Sequence, residues 1–175
     1  LAPARLYMVW FALAISVCSF GYIACAWFSV RRFGARVRRQ ASAPNGHGVT
    51  LLKPLCGDDP ELLENLRSCC RQDYPSFQVI FGVLDPNDAA ADIARQVINE
   101  HPGLDVSLVA GGDRIGANLK VSSLANMYPA AKHPFICIAD SDMRVPVDYL
   151  ARVMSPFEDS DVGAVTCLYT ARAID

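Results

Sequence analysis

Two carboxylates one residue apart, Asp140 and Asp142, close the apolar run Phe135-Ile136-Cys137-Ile138-Ala139. Such a run reads as a strand buried on both faces of a parallel sheet, and ligands of open α/β sheets collect beyond the carboxyl ends of such strands. Acids at i and i+2 leaving a strand end place negative charge where packing has no use for it. Oxygen ligands there suit a hard divalent ion, Mg2+ or Mn2+, held on a substrate's phosphates. Asp and Ser also favour plain polar turns through local hydrogen bonds. The tripeptide Asp140-Ser141-Asp142 by itself therefore leaves turn and metal site both open.

Other chemistries fit less well. The loop Ala110-Gly111-Gly112-Asp113-Arg114-Ile115-Gly116-Ala117-Asn118 lacks the Gly-x-Gly-x-x-Gly order of a dinucleotide fingerprint. It also lacks the Lys-Ser/Thr of a phosphate-binding P-loop, because Ala117-Asn118 stands in its place. What it offers is Arg114, Asn118 and Lys120 near an anionic ligand, or an ordinary turn with an exposed base. A phosphotransferase of the haloacid dehalogenase type expects Asp-x-Asp-x-Thr/Val on its first strand, whereas Arg144 holds the Thr/Val position and the motif ends the fourth strand. There is no Gly-x-Ser-x-Gly elbow, and His47, His101 and His133 fall in a linker, a helix end and a turn before a strand. The seven cysteines are odd in number and show no zinc spacing, so they read as reduced packing residues.

Charge divides the chain. Residues 1–48 carry six arginines and no acid, while residues 49–175 carry all 18 acids against 10 Lys and Arg, a net of +6 followed by −8. Leu6 to Val30 is free of charge, and as a helix it would reach about 37 Å, enough for a hydrocarbon core of roughly 30 Å. Tyr7, Trp10 and Phe11 near one end and Trp27 and Phe28 near the other match interfacial aromatic belts. Residues 1–30 are thus expected to be a transmembrane anchor and residues 31–48 a basic juxtamembrane linker. Arg31, Arg32, Arg36, Arg38 and Arg39 outweigh Arg5, which puts the rest of the chain on the cytoplasmic side by the positive-inside rule. With the basic residues beside the membrane and an acidic globular part, nucleic-acid binding is excluded.

Residues 49–175 alternate between strand and helix patterns. Strands are expected at 49–55, 77–84, 105–109, 134–139 and 162–168. The helices between them are marked by Leu62, Leu63, Leu66, Cys69 and Cys70, by Ala90, Ile93, Ala94, Val97 and Ile98, by Val121, Leu124, Ala125 and Tyr128, and by Tyr149, Leu150, Val153, Met154 and Phe157. Asp58 or Asp59 is expected to cap the first, with Pro60 at its first position. This alternation implies a mainly parallel sheet with helices on both faces, an α/β class.

Read in order, Leu51-Leu52-Lys53-Pro54-Leu55, Gln72-Asp73-Tyr74-Pro75, Val83-Leu84-Asp85, Gly116-Ala117-Asn118-Leu119-Lys120-Val121 and Ala139-Asp140-Ser141-Asp142-Met143-Arg144-Val145 resemble the ceramide glucosyltransferase-like enzymes of glycosyltransferase family 21. The complete Asp-Ser-Asp, with Gly116-Ala117-Asn118 and Val165-Thr166-Cys167-Leu168-Tyr169, looks closer to the bacterial branch associated with hopanoid lipid biosynthesis. The resemblance implies a GT-A, Rossmann-like nucleotide-sugar-binding domain behind one membrane helix, in a bacterial inner membrane. It implies a UDP-sugar donor, UDP-glucose or UDP-N-acetylglucosamine, a lipid acceptor such as a hopanoid or ceramide-like hydroxyl, and Mg2+ or Mn2+. Carried onto matching positions, it puts Asp142 on the metal and Asp140 near the ribose or the metal. Asp85 falls near the uracil or ribose, with Lys53, Pro54, Asn118 and Lys120 along the nucleotide side. The family's third aspartate and Gln-x-x-Arg-Trp motif have no match here, so the base is expected beyond Asp175 and the chain is expected to be a fragment. The alternative reading is a non-catalytic, membrane-tethered module that binds nucleotide sugars.

Overall fold

A computed structural model of the protein describes residues 2–39 and 46–171. The chain divides into two units, Leu1–Ala41 and Ser42–Asp175. The first is a single helix, α1, at Ala2–Arg39. Its stretch Leu6–Gly34 is long and apolar enough to cross a membrane, and apolar residues occupy its whole circumference. The helix runs beyond the expected anchor, so Arg31 and Arg32 are helical, and the Arg31 guanidinium lies 4.4 Å from the Trp27 ring centroid. Of the expected linker, residues 40–45 lie outside the described residues.

The second unit is a four-stranded parallel sheet of order β3-β2-β1-β4. Its strands are β1 (Val49–Pro54), β2 (Phe77–Val83), β3 (Val106–Ala110) and β4 (Phe135–Ile138). Its helices are α2 (Leu62–Cys70), α3 (Ala89–Glu100), α4 (Leu119–Met127) and α5 (Tyr149–Met154). In β1 the pleat sends Val49 and Leu51 into one core with Leu66 and Cys69 of α2, Ala94 of α3 and Leu150 of α5. Leu52 points the other way and meets Ile80 of β2 and Met127 of α4. Every residue of β1 is buried, as a central parallel strand covered on both faces must be. Gly82 makes the second face possible, since a Cβ there would sit 2.3 Å from the Met127 sulfur.

The chain proceeds from β1 to β2 to β3 in one direction and then returns to the far side of β1 with β4. That reversal opens a crevice beyond the carboxyl ends of β1 and β4, the place where such sheets take ligands. The polar pair Thr50 and Gln78 guides the return. Thr50 Oγ1 donates to Gln78 Oε1 at 3.0 Å, and these side chains accept from the backbone amides of His133 and Lys132 just before β4.

Two expectations change. The helix α2 begins at Leu62, not at Pro60, because Asp59 spends its side chain on a turn, accepting from the Glu61 amide at 2.9 Å. The expected fifth strand at 162–168 does not form. Leu168 and Tyr169 are strongly exposed, and a cleft of about 700 Å³ lies between β4 and this segment, so no ladder closes. Strand propensity needs a surface to pack against, and only Val162 and Val165 are half-buried there.

Candidate functional site

Three strand ends and one helix start converge on the crevice. From β1, Pro54 leads into Leu55, whose amide donates to Gly82 O at 2.7 Å, and then into a loop turned by Gly57 at φ +76°. That loop is tied across to the β2 end by Asp88, whose carboxylate accepts from the Gly57 amide at 3.0 Å and from Ala90 N at 2.9 Å as the N-cap of α3. From β2, Asp85 ends the strand in an exposed turn, with its Oδ1 accepting from Asn87 N at 2.9 Å. From the other face, Asn118 caps α4 by accepting from Val121 N at 3.2 Å, which sets Lys120 in the first helical turn. Lys120 reaches the Asp140 carboxylate as an ion pair.

The fourth contributor is the turn after β4. Met143 N donates to Asp140 O at 3.1 Å and closes the segment Asp140-Ser141-Asp142-Met143. Both acids are exposed, and Asp142 has no hydrogen bond or ion pair among the described residues. Beneath the turn, Lys53 Nζ donates to Asp140 O at 2.7 Å and Met143 O at 2.8 Å. The residues after it are docked on α2 and its C-terminal extension by a polar ridge. Asn65 donates to Ser141 O at 3.3 Å, Ser68 Oγ accepts from Val145 N at 3.1 Å, and Gln72 bonds both Pro146 O and Leu150 N at 3.0 and 3.1 Å. Spacings of three and four put these side chains on one helical face.

A cavity of about 580 Å³ therefore brings together Pro54, Asp85, Lys120, Asp140 and Asp142 of the residues singled out in the sequence. Two others sit differently. Lys53 does not line it: the side chain is fully buried, because its ammonium has turned inward to the two carbonyls. Burial pushes the Lys53 pKa down from the lysine range, opposed by the neighbouring Cys69 thiol and by Asp142 and Asp140. Asn118 shapes the site through the helix cap. The cavity also includes Cys56, Asp59 and Asp88, which sequence reasoning passed over. Asp88 carried a readable signal, an Asp directly before a helical pattern. Asn65, Ser68 and Gln72 carried none, since polar residues at helical spacing beside an apolar stripe read as a solvated helix face. Arg144 faces Glu64 at 3.4 Å in a surface pair and stays outside this cavity.

The donor set suits a hard divalent ion. Two carboxylates, of which Asp142 makes no ion pair, offer oxygen ligands, and among the described residues no third His, Cys, Asp or Glu completes a protein cage. Such a half-site matches an ion that keeps water and substrate phosphate as its other ligands.

The family model of glycosyl transferase family 21 matches residues 10–175. The chain belongs to this family. Ceramide glucosyltransferase 1 of Caenorhabditis elegans is 31% identical over 157 residues, covering 81% of this chain and 33% of that protein. Ceramide glucosyltransferase of Komagataella phaffii is 31% identical over 149 residues, covering 83% of this chain and 28% of that protein. This family 21 chain thus spans about a third of the length of the curated relatives it matches. Among solved structures, the mannosyltransferase PcManGT from Pyrobaculum calidifontis, in complex with GDP-Man and Mn2+, superimposes with a TM-score of 0.64 at 25% identity. The match covers 83% of this chain and 46% of that one. The α/β sheet described above is accordingly a GT-A fold.

Proposed function

We propose that this chain is the anchor and donor-binding part of a membrane-bound inverting glycosyltransferase, one that moves a sugar from a UDP-sugar to a lipid hydroxyl. The supporting observation is a cavity at the reversal of the sheet, where Asp85, Lys120, Asp140 and Asp142 meet. In this reading Asp85, at the β2 end, receives the ribose or uracil by accepting hydrogen bonds, and Pro54 forms the neighbouring wall. Asp142, which makes no ion pair among the described residues, and Asp140 would hold Mg2+ or Mn2+, as PcManGT was solved with Mn2+. When bound, that ion would neutralise charge gathering on the diphosphate leaving group. Lys120 now pairs with Asp140 and would share its ammonium with the same diphosphate, its place in the first turn of α4 adding the positive end of the helix dipole.

A base must then take the acceptor's proton from the opposite face of the sugar. Asp148, paired with Arg152, and Asp159, which accepts from the Asp161 amide, do not line the cavity. None of the described residues is proposed as that base. The donor is UDP-glucose or UDP-N-acetylglucosamine, and the acceptor a ceramide-like or hopanoid lipid. The apolar helix anchors the chain in a bacterial inner membrane, and the arginines in its C-terminal part favour the cytoplasmic side for the residues that follow. Calorimetry on the detergent-solubilised chain tests the donor assignment. UDP is expected to bind only with Mn2+ present and more tightly than GDP, and binding that ignores either the metal or the base would refute it.

A further inference from the structure

Lys53 is among the largest fully buried side chains of the described residues, yet it ends in a charge. A buried ammonium loses its hydration and must be surrounded by acceptors of its own. Beside the Cys69 thiol, the acceptors of Lys53 come from one structural feature. Its Nζ meets Asp140 O at 2.7 Å and Met143 O at 2.8 Å, the two ends of the acid turn, which lie 87 and 90 residues further along the chain. Between them, Ser141 O accepts from Asn65 at 3.3 Å. Three of the turn's four carbonyls are therefore held from below, and both acid side chains are left facing solvent. Lys53 itself lies in the register of β1 opposite Phe81, so its Cα is fixed by the sheet.

We infer that Lys53 is a positioning residue for the metal-binding acids: its ammonium grips both ends of the Asp140–Met143 turn and fixes where Asp140 and Asp142 point, without touching the ligand. This rests on the reading of those acids as the metal site. The sign of its effect separates positioning from bulk electrostatics. A positive charge near a cation site repels the cation, so removing it should strengthen metal binding if charge were all that mattered. Positioning predicts the reverse.

Mn2+ binding in the presence of UDP, read from the electron paramagnetic resonance signal of free Mn2+ on the intact chain in micelles, decides the matter. Lys53→Met keeps the length and loses the donors. It should unfold cooperatively and bind Mn2+ about ten- to a hundredfold more weakly, the usual range when an outer partner of a metal ligand is removed. Equal or tighter binding by a folded Lys53→Met protein would overturn the inference. Should that variant not fold, Asn65→Leu decides in its place. Its Oδ1 lacks a partner, so only the bond to Ser141 O is removed. A roughly threefold loss of Mn2+ affinity supports the inference and unchanged affinity refutes it. Failure of the native chain to bind Mn2+ with UDP would instead refute the metal-site reading itself.

Discussion

Two acid-bearing strand ends face the same cavity and are built in opposite ways. At the end of β2, Asp85 turns on a bond within its own loop, from Asn87 N to its Oδ1. At the end of β4, the Asp140–Met143 turn is gripped from β1 by Lys53 and from α2 by Asn65, while Lys120 of α4 reaches its outer carboxylate. Under the proposed function, the difference separates a contact that adapts to a ligand from one that must be in place before the ligand arrives. Ribose hydroxyls tolerate small displacements of an acceptor, whereas metal coordination requires fixed oxygen positions.

Breaking the better-built side should cost the most stability. Gln72→Leu removes the bonds to Pro146 O and Leu150 N that dock the segment after the acid turn. A loss of about 2 kcal/mol, near 1 for each bond, is expected in chemical unfolding, with metal affinity falling alongside. A change within error would mean that the ridge on α2 does not hold the turn. A smaller contrast sharpens the β2 side. Asp88→Ala loses both the cap of α3 and the tie to Gly57, and should cost about 1 kcal/mol. Asp85→Ala should leave stability within about 0.5 kcal/mol, as at other exposed positions, while weakening UDP. If Asp85→Ala proved the more destabilising of the two, the division between adaptive and built acids would fail.

Much of this architecture was legible in the chain. Apolar patterning located four strands and four helices of the sheet domain, although in α4 the marking residues Val121, Ala125 and Tyr128 are exposed and Ser122, Ser123 and Met127 are buried in their place, and Asp140 and Asp142 were visible as acids for which a strand end has no packing use. The fifth strand was misread because Val162, Val165 and Thr166 carry strand propensity without a partner ladder. Lys53 was misplaced for a different reason. A lysine before a proline at a strand end reads locally as solvent-facing, and only the carbonyls of Asp140 and Met143 turn it inward. Local pattern is blind to partners at that separation. Likewise, Asn65 and Gln72 looked like the polar side of an amphipathic helix until the segment 141–150 was laid upon them.

The central claim is that Asp142 holds a divalent ion on the diphosphate of a UDP-sugar. Titrating UDP into the native chain and into Asp142→Ala, each with saturating Mn2+, tests it most directly. The account predicts a metal-dependent heat for the native chain and its loss, by roughly a hundredfold or more in affinity, in the variant, since the removed group is a charged ligand. Equal affinities for the two, with both proteins folded, would contradict it.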